Sequence, residues 1–132
     1  MNRTWTATDN CGNSVSQTQV ITVQDTTDPV LEGVPANVTV ECDAIPAPST
    51  APFGDDNCDD DVEVTFEEVR IDGNCADNYT LERTWTVTDN CGNSTSGTQT
   101  ITVQDTTDPV LAGVPANETV ECDAVPLSLI HI

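Results

Sequence analysis

Basic residues are scarce in this 132-residue sequence, which has three Lys and Arg against 23 Asp and Glu and a formal net charge of −20. Proteins that bind phosphate backbones need clustered Lys and Arg, so we predict no nucleic-acid partner. The excess carboxylates repel one another, and this repulsion is tolerated best where cations lie between them.

Aromatic residues make up 4% of the sequence, which leaves few large apolar side chains for a core. No apolar run approaches the length of a transmembrane helix, and we predict no membrane insertion. The first residues contain no apolar signal region, and we expect any signal peptide to lie upstream of residue 1.

His131 is the only histidine, and no Cys-x-x-Cys motif occurs. The sequence therefore has no nucleophile–His–acid set and little to suggest a zinc site. Carboxylates are plentiful, but nothing marks two of them as an acid and a base in one cleft. We expect no enzymatic activity and no required cofactor.

The sequence repeats itself with a shift of 80 residues. Residues 3–20 match residues 83–100 at 14 of 18 positions, and residues 21–46 match residues 101–126 at 23 of 26 positions. Long and nearly identical repetition indicates a stretch of a tandem array. Neighbouring repeats of the same chain are therefore predicted partners.

The repeat divides the chain into four predicted parts. These are the C-terminal part of one repeat (1–25), a complete repeat (26–105), the N-terminal part of a third repeat (106–126) and a tail (127–132). The tail does not match residues 47–52, its counterpart in the complete repeat. We interpret the tail as a foreign join and exclude it from functional reasoning.

Apolar and polar residues alternate in residues 79–88 and 98–103, which predicts two half-buried strands joined by a turn at 89–94. Arg83 falls on the apolar phase of the first strand. We expect Arg83 at an edge or barrel-end position, with its stem beside Trp85 and its guanidinium on a carboxylate.

Residues 62–71 also alternate, with a slip in phase that predicts a bulge near Glu67 and Glu68. Residues 38–41 read as a short strand and residues 72–78 as a loop. No helical pattern occurs. The chain is therefore predicted to be all-β, with six or seven strands per repeat arranged as immunoglobulin-like β-sandwiches in tandem.

Six cysteines predict a disulfide framework and an oxidising, extracytoplasmic location. The four in the complete repeat allow three pairings. A hairpin of residues 62–71 and 79–88 would bring Cys58 near Cys91 at its open end and leave Cys75 at its closed end.

Cys42 is separated from Cys58 by about one strand length, so we expect Cys42 at the Cys75 end. The favoured pairs are therefore Cys58–Cys91 and Cys42–Cys75. Cys11 and Cys122 match Cys91 and Cys42 in the repeat, and their predicted partners lie outside the sequence.

Two sets of carboxylates are candidate Ca²⁺ ligands, because Ca²⁺ takes several oxygen donors. The set around Cys58 comprises Asp55, Asp56, Asp59, Asp60, Asp61, Asp89 and Asn90. The junction set comprises Asp25, Asp28, Asp105 and Asp108. The alternative is that these residues cap turns and keep the surface soluble, and no spacing matches an EF-hand loop.

The motif Arg-Thr-Trp-Thr-Val-Thr-Asp-Asn-Cys-Gly-Asn at 83–93, with Asp-Pro-Val at 108–110, resembles HYR-like and immunoglobulin-like repeats of large secreted proteins of Bacteroidetes-type bacteria. The resemblance covers residues 1–126. It implies a β-sandwich module strung in tandem in cell-surface adhesins or gliding-associated proteins, without catalytic residues.

Together these observations predict a non-enzymatic structural or adhesive module, a disulfide-stapled spacer or stalk of an extracellular bacterial surface protein. One alternative is a module that binds glycans or proteins. Another is a spacer attached to a secreted hydrolase. Trp5 and Trp85 lie on an inward strand phase, which favours a core role over a glycan-binding one.

Overall fold

The computed structural model describes residues 1–127, in which all regular structure is β. The strands are β1 (Asn2–Thr8), β2 (Ser14–Val20), β3 (Val30–Glu32), β4 (Val38–Glu41), β5 (Phe53–Asp55), β6 (Glu63–Cys75), β7 (Asn78–Thr88) and β8 (Ser94–Gln104). This stretch contains no helix that could cross a membrane. Apart from Leu127, the predicted tail at 127–132 lies outside the described residues.

A four-stranded sheet in the order β4-β8-β7-β6 is the centre of the fold. β7 pairs antiparallel with both β6 and β8, whereas β4 pairs parallel with β8. The predicted alternation in β7 is confirmed, since Leu81, Arg83, Trp85 and Val87 are all buried. Because β7 lies in the middle of the sheet, the expected edge position of Arg83 is wrong. The expected carboxylate partner is present.

The core is small and consists of two groups of side chains, one towards each end of β7. At one end Leu81, Ile101 and Val103 form a buried cluster. Partly buried side chains of Val40, Cys42, Ile45 and Tyr79 pack against this cluster. At the other end the rings of Trp85 and Phe66 lie 5.2 Å apart.

A second sheet, formed by β3 and β5 in antiparallel pairing, lies against the four-stranded sheet. Its approach is close at Gly97, where a Cβ would lie 2.9 Å from Val34 Cγ2 and 3.3 Å from Leu31 Cδ2. Glycine therefore allows the two layers to meet at this point. The fold class is all-β as predicted, and a complete immunoglobulin-like sandwich stays a prediction.

The expected bulge at Glu67 and Glu68 is wrong. β6 and β7 keep continuous register from Glu63 to Asp72, and the irregularity lies between Asp72 and Cys75. The change in apolar phase has another cause. Val69 and Ile71 lie on the face of the edge strand β6 opposite to Phe66, and both are about half exposed. The predicted loop is also shorter, since β6 extends to Cys75 and only two turn residues precede β7.

The hairpin of β1 and β2 repeats the hairpin of β7 and β8 at a shift of 80 residues, with Trp5 opposite Gln17 as Trp85 is opposite Gly97. The environments differ, because Trp5 is 58% exposed and Trp85 is 3% exposed. Residues 106–126, which match the segment containing β3 and β4, form no strand. The hairpin of β1 and β2 therefore forms from strands that are adjacent in sequence. In contrast, β3 and β4 pair with strands that are distant in sequence.

Candidate cation site and repeat junctions

The tight turn between β7 and β8 is organised by Asp89, which is 6% exposed. Its Oδ1 accepts hydrogen bonds from the backbone N–H groups of Cys91 (2.8 Å) and Asn93 (2.9 Å). Its Oδ2 accepts one from Asn93 Nδ2 at 2.7 Å. Burial opposes ionisation of this carboxyl, but the donors of Asn93 and Cys91 outweigh it and lower the Asp89 pKa below 3.8. The turn therefore holds a negative charge inside the unit.

The same turn recurs in the first hairpin, where Asp9 accepts from Asn13 Nδ2 at 2.8 Å and from the N–H of Cys11 at 2.9 Å. Bonds from Asn13 lower the Asp9 pKa as well. Because the hairpin of β1 and β2 is exposed throughout, the turn depends on local sequence alone.

Asp56 lies in the loop between β5 and β6. Its Oδ2 accepts hydrogen bonds from the N–H groups of Cys58 (2.8 Å) and Asp59 (3.0 Å). These bonds fix the orientation of the carboxylate as an Asx turn does. Its Oδ1 is buried and has no hydrogen-bond partner.

Asp25 belongs to the incoming junction, which we define as residues 24–29. Its Oδ1 accepts from the N–H of Thr27 at 3.1 Å, and its main-chain oxygen accepts from Asn93 Nδ2 at 3.3 Å. Its Oδ2 is buried without a partner. The Asn93 amide thus links the junction to the turn that contains Asp89.

The carboxylates of Asp25, Asp56 and Asp89 converge at one end of the complete unit. One oxygen from each lies within 4.8 Å of the others. Beside them lies a surface depression of about 250 Å³. It is lined by Thr27, Asp28, Val30, Asp55, Asp56 and Asn57. A group of three carboxylates with two unpartnered oxygens is a donor set that suits a hard cation.

The structure draws this trio from both predicted sets and leaves the other members out. The predicted carboxylates not in the trio are Asp55, Asp59, Asp60, Asp61, Asp28, Asp105 and Asp108. Asp59 lies nearby and braces the loop, since its Oδ2 accepts from the N–H of Asn90 at 2.9 Å. The sequence does not group Asp25 with Asp56 and Asp89, because no residue spacing shows that the incoming junction meets the turn between β7 and β8.

The outgoing junction, residues 104–109, is bound at the opposite end of the unit by Glu41. Glu41 accepts from Thr106 Oγ1 (2.7 Å), from the N–H of Thr106 (3.1 Å) and from Gln104 Nε2 (3.1 Å). The Thr106 and Gln104 donors lower the Glu41 pKa from its usual 4.5. Asn78 Oδ1 accepts from the N–H of Asp105 at 2.7 Å. No pattern in the sequence marks Glu41 as a junction-binding residue.

All six cysteines are thiols in the structure. Cys58 and Cys91 lie at the end of the unit where Asp25, Asp56 and Asp89 converge, and the charges of these carboxylates act on both thiols. Burial and Asp25 raise both pKa values, and a Cys91 thiolate also raises the Cys58 pKa.

The positions of Cys42 and Cys75 do not decide whether these two residues pair. Cys42 follows β4, and Cys75 ends β6 at the same end of the sheet, but β8 and β7 separate these two strands. Burial and the charge of Asp105 raise the Cys42 pKa. Both predicted disulfides remain predictions.

Comparison with curated proteins found no match. A family model described as "HYR-like domain with 4 cysteines" matches residues 30–103, more than half of the chain. The matched segment runs from the start of β3 almost to the end of β8 and contains Cys42, Cys58, Cys75 and Cys91. HYR-like domains occur in extracellular proteins. With this match and this all-β architecture, the chain belongs to the family of HYR-like domains with four cysteines.

Proposed function

We propose that this chain is part of a tandem array of HYR-like modules that acts as a disulfide-stapled spacer in a bacterial cell-surface protein. The array would take part in adhesion by holding other domains away from the surface. In this proposal the module has no catalytic role.

The positions of the two junctions carry the proposal. The incoming junction is bonded to Asn93, the residue before β8, through the main-chain oxygen of Asp25. The outgoing junction begins at Gln104, the last residue of β8, and is bonded to Glu41. The chain therefore reaches the unit at one end of β8 and leaves it at the other.

β8 has 11 residues, and a strand rises about 3.3 Å per residue. Each module would thus add roughly 35 Å of length to an array. Bonded junctions at both ends, together with the proline at the end of each junction, favour a semi-rigid rod over a flexible string.

Disulfides would reinforce modules whose apolar core is small. Cys58 and Cys91 lie at the same end of the unit, beside the same carboxylates Asp25, Asp56 and Asp89, and this shared location is the basis for proposing their pairing. The proposed Cys42–Cys75 pair would staple the other end. A disulfide closing a loop of this size contributes about 3–4 kcal/mol by loop-entropy estimates.

A glycan-binding module is the weaker alternative for the complete unit, since Trp85 is buried in the core and cannot present its ring to a sugar. The predicted core position of Trp5 is wrong, because Trp5 is 58% exposed in the first hairpin. A spacer attached to a hydrolase uses the same geometry and differs only in what the array carries.

The proposal is tested by measuring the distance between the two junctions. Spin labels introduced at Thr27 and Thr107 by a non-cysteine chemistry should give one narrow distance distribution near roughly 35 Å. A broad distribution, or a mean distance below about half that value, would contradict the rod. Saturable binding of the purified chain to a glycan or protein array would support the binding-module alternative.

A further inference from the structure

We propose that Asp25, Asp56 and Asp89 bind one hard divalent cation, with Ca²⁺ as the best fit, and that this cation fastens the incoming junction to the complete unit. Asp25 comes from the junction, whereas Asp56 and Asp89 come from two loops of the unit. The site therefore joins segments that are distant in sequence.

The spacing of the oxygens fits calcium. One oxygen of each carboxylate lies within 4.8 Å of the other two. Ca²⁺ binds oxygen at about 2.3–2.6 Å, so two oxygens on one ion lie at most about 5 Å apart. Mg²⁺ demands shorter bonds and strict octahedral geometry. A site of three carboxylates, completed by water, therefore suits Ca²⁺ better.

Two unpartnered atoms point to a ligand independently of the clustering. Asp25 Oδ2 and Asp56 Oδ1 each expose less than 1 Å² and accept no hydrogen bond. A buried charged oxygen without a partner is strongly unfavourable. Backbone N–H groups hold the second oxygen of each carboxylate, so neither side chain can turn outward without losing a hydrogen bond. A cation between the carboxylates satisfies both atoms.

No cationic side chain within residues 1–127 performs this role. The ion pairs in this part of the chain are Arg70–Asp72 and Arg83–Glu68, and neither includes a member of the trio. Asp89 accepts two N–H bonds at Oδ1 and one at Oδ2, so Oδ2 keeps an acceptor site for a cation. These donors stabilise the charge of Asp89 but do not remove its repulsion with Asp25 and Asp56.

In an array, which rests on the proposed function, every junction would be held from both sides. Asp105 matches Asp25 in the repeat, and its Oδ1 accepts from the N–H of Thr107 at 3.1 Å as Asp25 Oδ1 does from Thr27. The backbone N–H of Asp105 is bonded to the preceding unit through Asn78. The carboxylate at this position would then bind the cation of the following unit.

The test is Ca²⁺ titration of the full 132-residue chain by isothermal calorimetry after chelator treatment. We expect one site per chain. Asp25→Asn and Asp56→Asn should each weaken binding by about tenfold or more, because each removes a charged ligand. Asp105→Asn is the matched control and should leave the affinity unchanged, since Asp105 has the same local bonds but no place in the trio.

Thermal unfolding separates a ligand from a merely structural aspartate. With chelator, Asp56→Asn should raise Tm because it removes a repelling charge. With Ca²⁺ the unsubstituted chain should have the higher Tm of the two proteins, because the ion stabilises only a folded state that binds it. Ca²⁺ should also slow proteolysis within residues 21–29 of the unsubstituted chain and not of Asp25→Asn.

Asp25 lies outside every strand, so the Asp25→Asn variant still tests the site if Asp56→Asn fails to fold. The proposal is overturned if millimolar Ca²⁺ produces neither heat nor a Tm shift. It is equally overturned if Asp105→Asn weakens binding as much as Asp25→Asn. Neither result bears on the junction distance that tests the spacer.

Discussion

Arg83 and Glu68 face each other across β7 and β6, and Arg83 Nε lies 2.6 Å from Glu68 Oε2. The Arg83 side chain is 4% exposed and the Glu68 side chain is 37% exposed. The small core thus contains a guanidinium in its central strand, neutralised by a carboxylate that an edge strand keeps partly in water.

Glu68→Gln should destabilise the unit by about 1–2 kcal/mol, because it leaves a buried guanidinium without its counter-charge while water screens part of the loss. Arg83→Met should cost less, since the freed Glu68 can be hydrated. Urea unfolding followed by circular dichroism measures both changes. Arg3→Met is the matched control in the exposed hairpin and should be neutral. If Glu68→Gln is also neutral, this ion pair contributes nothing to stability.

Trp85 and Trp5 occupy the same position of the repeat in different surroundings. Trp85→Ala should cost about 3–5 kcal/mol, because it removes a buried ring that contacts Phe66. Trp5→Ala should change stability by about 0.5 kcal/mol or less, as expected for an exposed position. Guanidinium unfolding of the two variants gives the comparison, and equal losses would show that the first hairpin is packed in solution.

How far the sequence predicts this fold is clear from β7 and β6. Alternation in residues 79–88 predicts the strand, its buried face and its hairpin partner, because side chains in a strand alternate between faces. The same pattern does not reveal which strand lies at an edge. The exposed apolar residues Val69 and Ile71 therefore give the sequence pattern of a bulge where the register is continuous. For the same reason Arg83 is expected at an edge, although its strand lies in the middle of the sheet.

The sequence predicts that aspartates form the candidate site, but it does not predict which aspartates come together. Turn chemistry identifies Asp56 and Asp89 as loop residues, and the repeat identifies Asp25 as a junction residue. Their convergence depends on where the incoming chain crosses the end of β8, which is a long-range property with no local signal. The β4 strand shows the same limit, since its copy at 118–121 forms no strand in the absence of a β8 partner.

Acid should destabilise the unit through Asp89. Its pKa in the folded state lies below 3.8, so the unfolded state takes up a proton first as the pH falls. The resulting stabilisation is fully present above pH 3.8 and disappears as the pH falls through the folded pKa. Glu41, whose pKa is lowered from 4.5, acts in the same direction.

Asn93→Ala removes the main side-chain donor to Asp89. This variant should be less stable than the unsubstituted chain at neutral pH, and the difference should narrow below pH 3.8. Denaturant unfolding at a series of pH values measures it. Asn13→Ala, which disrupts the same bond in the first hairpin, should leave unfolding of the complete unit unchanged. A difference that stays constant with pH would show that Asn93 does not act through the charge of Asp89, and would leave its bond to the main-chain oxygen of Asp25 as the source of stability.

In the reduced protein, the thiols of Cys58 and Cys91 should react slowly at neutral pH. Burial, with Asp25 next in effect, raises both pKa values, and the thiolate is the reactive form. The alkylation rate at Cys91 should therefore be low at neutral pH and rise as the pH is raised, and Asp25→Asn should move this rise to lower pH because it removes one of the charges that raise the Cys91 pKa. Mass spectrometry of pulse-labelled peptides measures the rate in both proteins, and identical pH profiles would contradict the influence of Asp25.

In the oxidised protein, peptide mapping without reductant should recover Cys58 linked to Cys91. Cys58→Ser should then lower the free energy of unfolding by about 3–4 kcal/mol, and only under oxidising conditions, because the cross-link restricts the unfolded chain. Cys11→Ser is the control and should have no effect on the complete unit. A Cys42–Cys58 linkage would overturn the pairing, because Cys58 can form a disulfide with one partner only.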